Sequence, residues 1–95
     1  MYYVYILYSA SLNKYYVGHT ENVDLRLDQH NTKFFKNSWT AHSDDWIIYH
    51  TILCESKTQA LKIERHIKNM KSRKYYFNLV QYPDIELKLK ETYKD

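Results

Sequence analysis

Two tyrosines 11 residues apart, Tyr5 in YYVYILY and Tyr16 in KYYVGHT, are the first side chains here with potential chemistry. Arg26 follows ten residues after the second, His30 four after that, and Glu64 lies well downstream. Singly, each has an ordinary reading. The tyrosines pack in strands, Arg26 lies solvated on a helix, and His30 sits on a helix face. Glu64 has Lys68 one turn on, an i,i+4 pair worth roughly a few tenths of a kcal/mol. The five histidines, His19, His30, His42, His50 and His66, show no HxxxH or Cys-His spacing, which argues against a zinc cluster. Cys54 ends an apolar stretch without a second thiol and reads as inert and suited to a reducing cytoplasm. One glycine, Gly18, leaves no phosphate-cradling loop.

Residues 2–8 (YYVYILY) are aromatic and β-branched and predict a strand, with Tyr3, Tyr5 and Leu7 on one face and Val4, Ile6 and Tyr8 on the other. Residues 9–14 read as a hairpin loop and 15–19 as its antiparallel return. Thr20 or Asn22 is placed to cap a helix reaching Asn31, on which Arg26 and His30 are surface neighbours and Val23 and Leu27 share a stripe. Residues 32–44 show no period and read as a loop. Residues 46–54 (WIIYHTILC) predict a third strand, apolar enough for burial on much of both faces. Ser56 and Gln59 form a capping-box pattern opening a helix to Met70, with Ala60, Ile63, Ile67 and Met70 as its core stripe. Ser72 caps a shorter third helix over 72–82. The expected fold is therefore α+β, a three-stranded antiparallel sheet flanked by helices in the order β-β-α-β-α-α. One domain over 1–82 is followed by a charged tail, 83–95, in which Pro83-Asp84 can restart a helix.

Ninety-five residues, 44% of them hydrophobic, suffice for one small core and argue against wholesale disorder. No apolar run approaches the roughly 20 residues of a membrane helix, and the N-terminus lacks a signal-peptide pattern. The formal charge is +3, unevenly spread. Lys62, Arg65, Lys68, Lys71, Arg73 and Lys74 face only Glu64 within 62–74, a basic stretch that suits a polyanion or a solvated helix surface.

Taken in order, VYI at 4–6, YVG at 16–18, the Arg26/His30 pair and Glu64 on a later helix resemble the GIY-YIG nuclease superfamily, in its small single-domain form. The likeness runs from residue 2 to about 80 and includes the strand at 46–49 and the IKNMKSRK run at 67–74. It implies hydrolysis of DNA phosphodiester bonds with one divalent ion, Mg²⁺ or Mn²⁺. On that likeness Glu64 is the metal ligand, because a hard cation wants carboxylate oxygen. Arg26 offers a fork of donors to the phosphate, Tyr5 activates or orients water, and Tyr16 hydrogen-bonds near the same centre. His30 accepts a proton, easing the roughly 4 kcal/mol cost of ionising a free tyrosine at neutral pH. Gly18, lacking a side chain, lets a phosphate backbone approach the strand end or serves a bulge.

The pattern also departs from the superfamily. Val4 replaces the first motif's glycine, and His19 stands where excinuclease-type relatives have lysine. Tyr76 occupies the place of an asparagine, leaving Asn78 as the nearest accessory candidate. With no attached DNA-binding domain expected, DNA affinity falls to Gly18, His19, Lys62, Arg65, Lys68, Lys71, Arg73 and Lys74, or to a recruiting protein. Such contacts predict structure selectivity over sequence selectivity, and a role in DNA repair or processing. A non-catalytic nucleic-acid-binding or adaptor module on the same fold is the alternative, with a protein-interaction domain behind it. Oligomeric state is not readable from the sequence.

Overall fold

Tyr2–Ser9 forms β1, Lys14–Thr20 forms β2 and Trp46–Cys54 forms β3, joined antiparallel in the order β2-β1-β3. The protein is described here by a computed structural model covering residues 1–33 and 39–94. As the central strand, β1 is covered on both faces, and Val4, Tyr5, Ile6 and Leu7 are all buried. Its register with β2 pairs Tyr5 with Gly18 and Leu7 with Tyr16. Against β3, Ile6 pairs with His50 but Leu7 with Ile48, so Tyr49 is an extra residue at a bulge. The Tyr49 ring then lies 5.2 Å from that of Tyr15.

The hairpin tip is built without glycine. Asn13 takes the left-handed conformation, φ 52°, which asparagine tolerates better than most residues. Asp45 holds the tip from one side, accepting the Ser11 backbone N–H at 2.8 Å and the hydroxyls of Ser9 and Ser43. Those hydrogen bonds, Ser43's first, keep the Asp45 carboxyl well below the usual carboxylate range. Arg73 holds it from the other side, donating to the Asn13 side chain at 2.9 Å and to the Asn13 carbonyl. The Arg73 guanidinium also lies 5.4 Å from the centre of the Tyr15 ring.

Each helix but the last starts on a side-chain cap. Asn22 accepts from Leu25 N–H at α1 (Val23–Asn31), Ser56 from Gln59 N–H at α2 (Lys57–Met70), and Ser72 from Tyr75 N–H at α3 (Arg73–Gln81). The Ser56 side of the expected capping box forms, with Gln59 N–H donating at 3.1 Å. Gln59 accepts from Glu55 N–H at 2.8 Å and donates to the Lys90 carbonyl at 3.1 Å, tying the start of α2 to the last helix. That helix, α4 (Pro83–Thr92), opens on proline, whose fixed φ suits a first turn. It occupies most of the expected tail and inserts Leu89 into the main core; Asp95 lies outside the described residues.

The sheet separates two cores. On one face Val4, Ile6, Val17, Ile52 and Cys54 meet Ala60, Ile63 and Ile67 of α2, with Leu79 and Leu89 behind. On the other, Tyr5, Leu7 and Trp46 pack with Leu12, Tyr16, Val23 and Leu27. Three expectations change. The third strand is an edge strand, and Ile47 on the α2 side and Leu53 on the α1 side are 58% and 41% exposed, because the helices cover neither face fully at the sheet edge. Met70 ends α2 beyond the sheet and is exposed, so it leaves the predicted core stripe. Within the expected 32–44 loop, Trp39–His42 makes a 3-10 turn, while 34–38 lie outside the described residues. Among the described residues no helix is long and apolar enough to cross a membrane.

Candidate active site

Tyr5 reaches its position because its cross-strand partner has no side chain. A Cβ built on Gly18 would lie 2.5 Å from the Tyr5 hydroxyl oxygen and 2.6 Å from the ring carbon bearing it. No real side chain tolerates such contacts. Gly18 has no positive φ, so the glycine is required by space rather than by backbone conformation. Its missing side chain is replaced by the Tyr5 ring, and Tyr5 crosses β2 towards the strand edge.

The α1 helix brings two further groups to that ring. His30, in its last turn, is 2% exposed and stands with Nε2 3.0 Å from the Tyr5 hydroxyl. Its other nitrogen, Nδ1, lies 2.8 Å from Thr40 Oγ1. Arg26, one turn earlier, acts on both groups. Its positive charge lies close to both the Tyr5 phenol and His30. Burial first, then the Arg26 charge, lowers His30 to a pKa of about 4, so its imidazole is neutral at pH 7. Burial, followed by Tyr16 and Glu64, pushes the Tyr5 phenol well above its usual value, with Arg26 pulling the other way. Tyr16 completes the cluster, its ring centroid 6.3 Å from that of Tyr5 and 5.0 Å from that of His30.

Glu64 comes from the opposite face, on α2, and reaches the cluster round the β2 edge. Its Oε2 lies 3.0 Å from Lys68 Nζ, and that ammonium stands 5.9 Å from the centre of the Tyr16 ring. Its Oε1 lies 2.7 Å from His19 Nδ1. Both oxygens therefore carry a polar partner, at 14% side-chain exposure. Among the described residues there is no group of three His, Cys, Asp or Glu side chains able to cage a cation. A lone carboxylate nevertheless fits Mg²⁺, which commonly takes one or two carboxylates and fills its remaining positions with water and substrate oxygen. An ion there would take over the oxygens now held by His19 and Lys68.

The basic residues divide. Lys68 and Lys71 follow Glu64 on successive turns of α2, and Lys71 closes the helix in a left-handed cap, φ 46°. Lys62 projects from the other side of α2 and, with Arg65, His66, Asn69 and Tyr93, borders a separate shallow groove of about 270 Å³. Arg73 is committed to the hairpin tip, Lys74 is exposed beside it on α3, and Asn78 lies further along α3. Among the described residues no hydrogen bond or ion pair links Asn78 to Glu64.

Tyr5, Tyr16, Arg26 and His30 thus gather at one strand edge, and Lys68 links Glu64 to Tyr16 there. Lys68 was expected as a DNA contact and as a helix partner for Glu64, and folding sets it over Tyr16. One member was not evident from sequence as part of the site. Thr40 carried no signal, since it stands in a stretch without period. A family model described as the GIY-YIG catalytic domain matches residues 1–76. Comparison with curated proteins and with solved structures found no match.

Proposed function

The chain belongs to the GIY-YIG family, and on that premise we propose that it is a DNA endonuclease domain that hydrolyses phosphodiester bonds with one divalent ion, Mg²⁺ or Mn²⁺. The observation that carries this reading is the meeting of a guanidinium, a buried tyrosine–histidine pair and a carboxylate at the Gly18 edge. Arg26 presents its fork of donors beside Tyr5, and these bind the non-bridging phosphate oxygens as negative charge accumulates. The attacking water gives its proton to the Tyr5 oxygen while the Tyr5 proton passes to His30 Nε2. That concerted path avoids a free tyrosinate, which the raised Tyr5 pKa makes unfavourable. Tyr16, half-exposed beside the pair, supplies a hydroxyl to the same centre. Glu64 would hold the ion, which when bound polarises the phosphate and eases water ionisation. Lys68, beside Glu64 and over Tyr16, adds positive charge at the strand edge.

His19, Lys68 and Lys71 on this side, with the exposed Lys74 nearby, supply contacts that are chiefly to the phosphate backbone. Such binding is salt-dependent and selects branched or single-stranded shape over sequence, which suits DNA repair or processing in the cytoplasm, with or without a recruiting protein. Asn78 remains an accessory candidate for orienting Glu64. The test is incubation of purified protein with branched and supercoiled DNA, with and without Mg²⁺, beside Glu64→Ala and Arg26→Ala. Metal-dependent cutting by the wild type, lost in both variants, is expected. Equal behaviour of all three proteins sinks the nuclease reading.

One observation favours a second reading, a nucleic-acid-binding adaptor. Both Glu64 oxygens are already engaged, by His19 and Lys68. Salt-dependent binding of branched DNA without cutting at any Mg²⁺ or Mn²⁺ concentration would select it.

A further inference from the structure

Thr40 is assigned no part by the family pattern, yet it is 1% exposed and touches the one nitrogen of His30 that does not face Tyr5. Its place is fixed from behind. The buried Trp46 indole donates to the Thr40 carbonyl at 2.9 Å, and Asn31 grips Trp46 by both backbone groups, at 2.8 and 2.9 Å. The 3-10 turn carrying Thr40 is thus clamped to the start of β3 and the end of α1.

The hydrogen positions follow from who can donate. A guanidinium has donors and no acceptor, so Arg26, whose charge lies close to the Tyr5 phenol, cannot take its proton. The Tyr5 proton needs an acceptor, and the one that the structure places within reach is His30 Nε2, at 3.0 Å. A neutral imidazole that accepts at Nε2 carries its hydrogen on Nδ1, and that hydrogen points at Thr40 Oγ1, 2.8 Å away. We propose that Thr40 is a positioning residue that fixes His30 in the Nδ1–H tautomer, so that Nε2 stays open to the Tyr5 proton.

For catalysis the idea rests on the nuclease reading above and completes its proton path. The water oxygen bonds to phosphorus as the bond to the leaving oxygen breaks. The water proton moves to the Tyr5 oxygen, the Tyr5 proton moves to Nε2, and the resulting imidazolium keeps Nδ1–H on Thr40. The leaving oxygen takes a proton from solvent, and His30 later returns its own to solvent, so the cycle closes. With the opposite tautomer, Nε2–H would point at Tyr5 and leave the phenol proton nowhere to go.

The experiment reads the tautomer directly, from ring-nitrogen NMR of the ¹⁵N-labelled full chain at neutral pH, for wild type, Thr40→Ser and Thr40→Val. Expected are a protonated, pyrrole-like Nδ1 and a pyridine-like Nε2 at His30 in the wild type. Thr40→Ser should keep that signature and Thr40→Val should lose it. A pyridine-like Nδ1 in the wild type overturns the proposal, as does an unchanged His30 spectrum in Thr40→Val. If the wild type cuts DNA, Thr40→Val should lower kcat about ten- to a hundred-fold with KM within about two-fold, and serine should restore most of it. The NMR result stands whether or not the protein cuts DNA, so failure of the tautomer and failure of the nuclease reading remain distinguishable.

Discussion

The two faces of the β1 strand do opposite work with neighbouring residues. On the α2 face, Val4 and Ile6 pack against Ala60, Ile63 and Ile67, a dry aliphatic layer with no chemistry in it. One residue over, Tyr5 joins a layer that includes His30 and Thr40, whose buried polar atoms are hydrogen-bonded to one another. Among the described residues no buried side-chain polar atom lacks a partner. The difference teaches how a chain this small affords a reactive site. Stability comes mostly from the aliphatic face, because transfer of apolar area from water is its dominant source. The aromatic face can then hold groups chosen for proton transfer, provided each is satisfied, since an unpaired buried polar atom is costly. Glu64 lies on the stabilising helix, and its partner Lys68 reaches Tyr16 at the sheet edge.

Substitutions on the two faces should therefore separate stability from activity. The largest effect is expected for Arg26→Ala, a loss of roughly a thousand-fold in kcat, about 4 kcal/mol of transition-state stabilisation. Its urea midpoint should stay close to wild type, and a parallel fall in stability would break the separation. Ile63→Ala should do the reverse. A buried Ile-to-Ala change costs about 3 kcal/mol, read as a lower urea midpoint, with kcat near wild type at temperatures where the variant remains folded.

Gly18→Ala sits where the faces meet and should cost both. The added Cβ must push the Tyr5 ring aside, so a loss of about 100-fold in activity with about 1–2 kcal/mol in stability is expected. Cleavage by this variant at the wild-type rate would show that the Tyr5 position is not critical.

A last effect is confined to acid conditions and also marks the aromatic face. His30, surrounded by Tyr5, Arg26 and Thr40, has its folded pKa lowered to about 4, against 6.5 for the free side chain. The unfolded chain therefore binds more protons between these values, and stability falls as pH drops from about 6.5 towards 4. The full difference is on the order of a few kcal/mol, largely absent at neutral pH. Denaturation at pH 7 and pH 4.5 should show a steeper loss for wild type than for His30→Gln, whereas Ile63→Ala should keep the wild-type slope. Equal slopes in wild type and His30→Gln would remove His30 as the source.

Much of this was legible beforehand because local rules govern it. The strand alternation placed Tyr5 and Leu7 on one face and Val4 and Ile6 on the other, since side chains of an extended chain alternate whatever lies against them. Ser56, Ser72 and Asn22 announced helix starts, and the four-residue step put Arg26 and His30 on one side of α1. The order and spacing of Tyr5, Tyr16, Arg26, His30 and Glu64 were enough to suggest the family, because those intervals are properties of the chain alone.

What tertiary structure decided concerns pairs far apart in sequence. Gly18 could be read as a place for phosphate to approach, but the register of β1 with β2 is what fills it with the Tyr5 ring. Arg73 looked like a phosphate ligand until folding brought Asn13 and Tyr15 beneath its guanidinium. Lys62 and Lys68 belong to one charge run, yet helix geometry turns them to different surfaces. Thr40 had no pattern to betray it, because its neighbour His30 is supplied by another element and its backbone by the Trp46 clamp. Local periodicity fixes which way a side chain leaves its own strand or helix. Packing alone fixes what it meets there, because that depends on the placement of every other element.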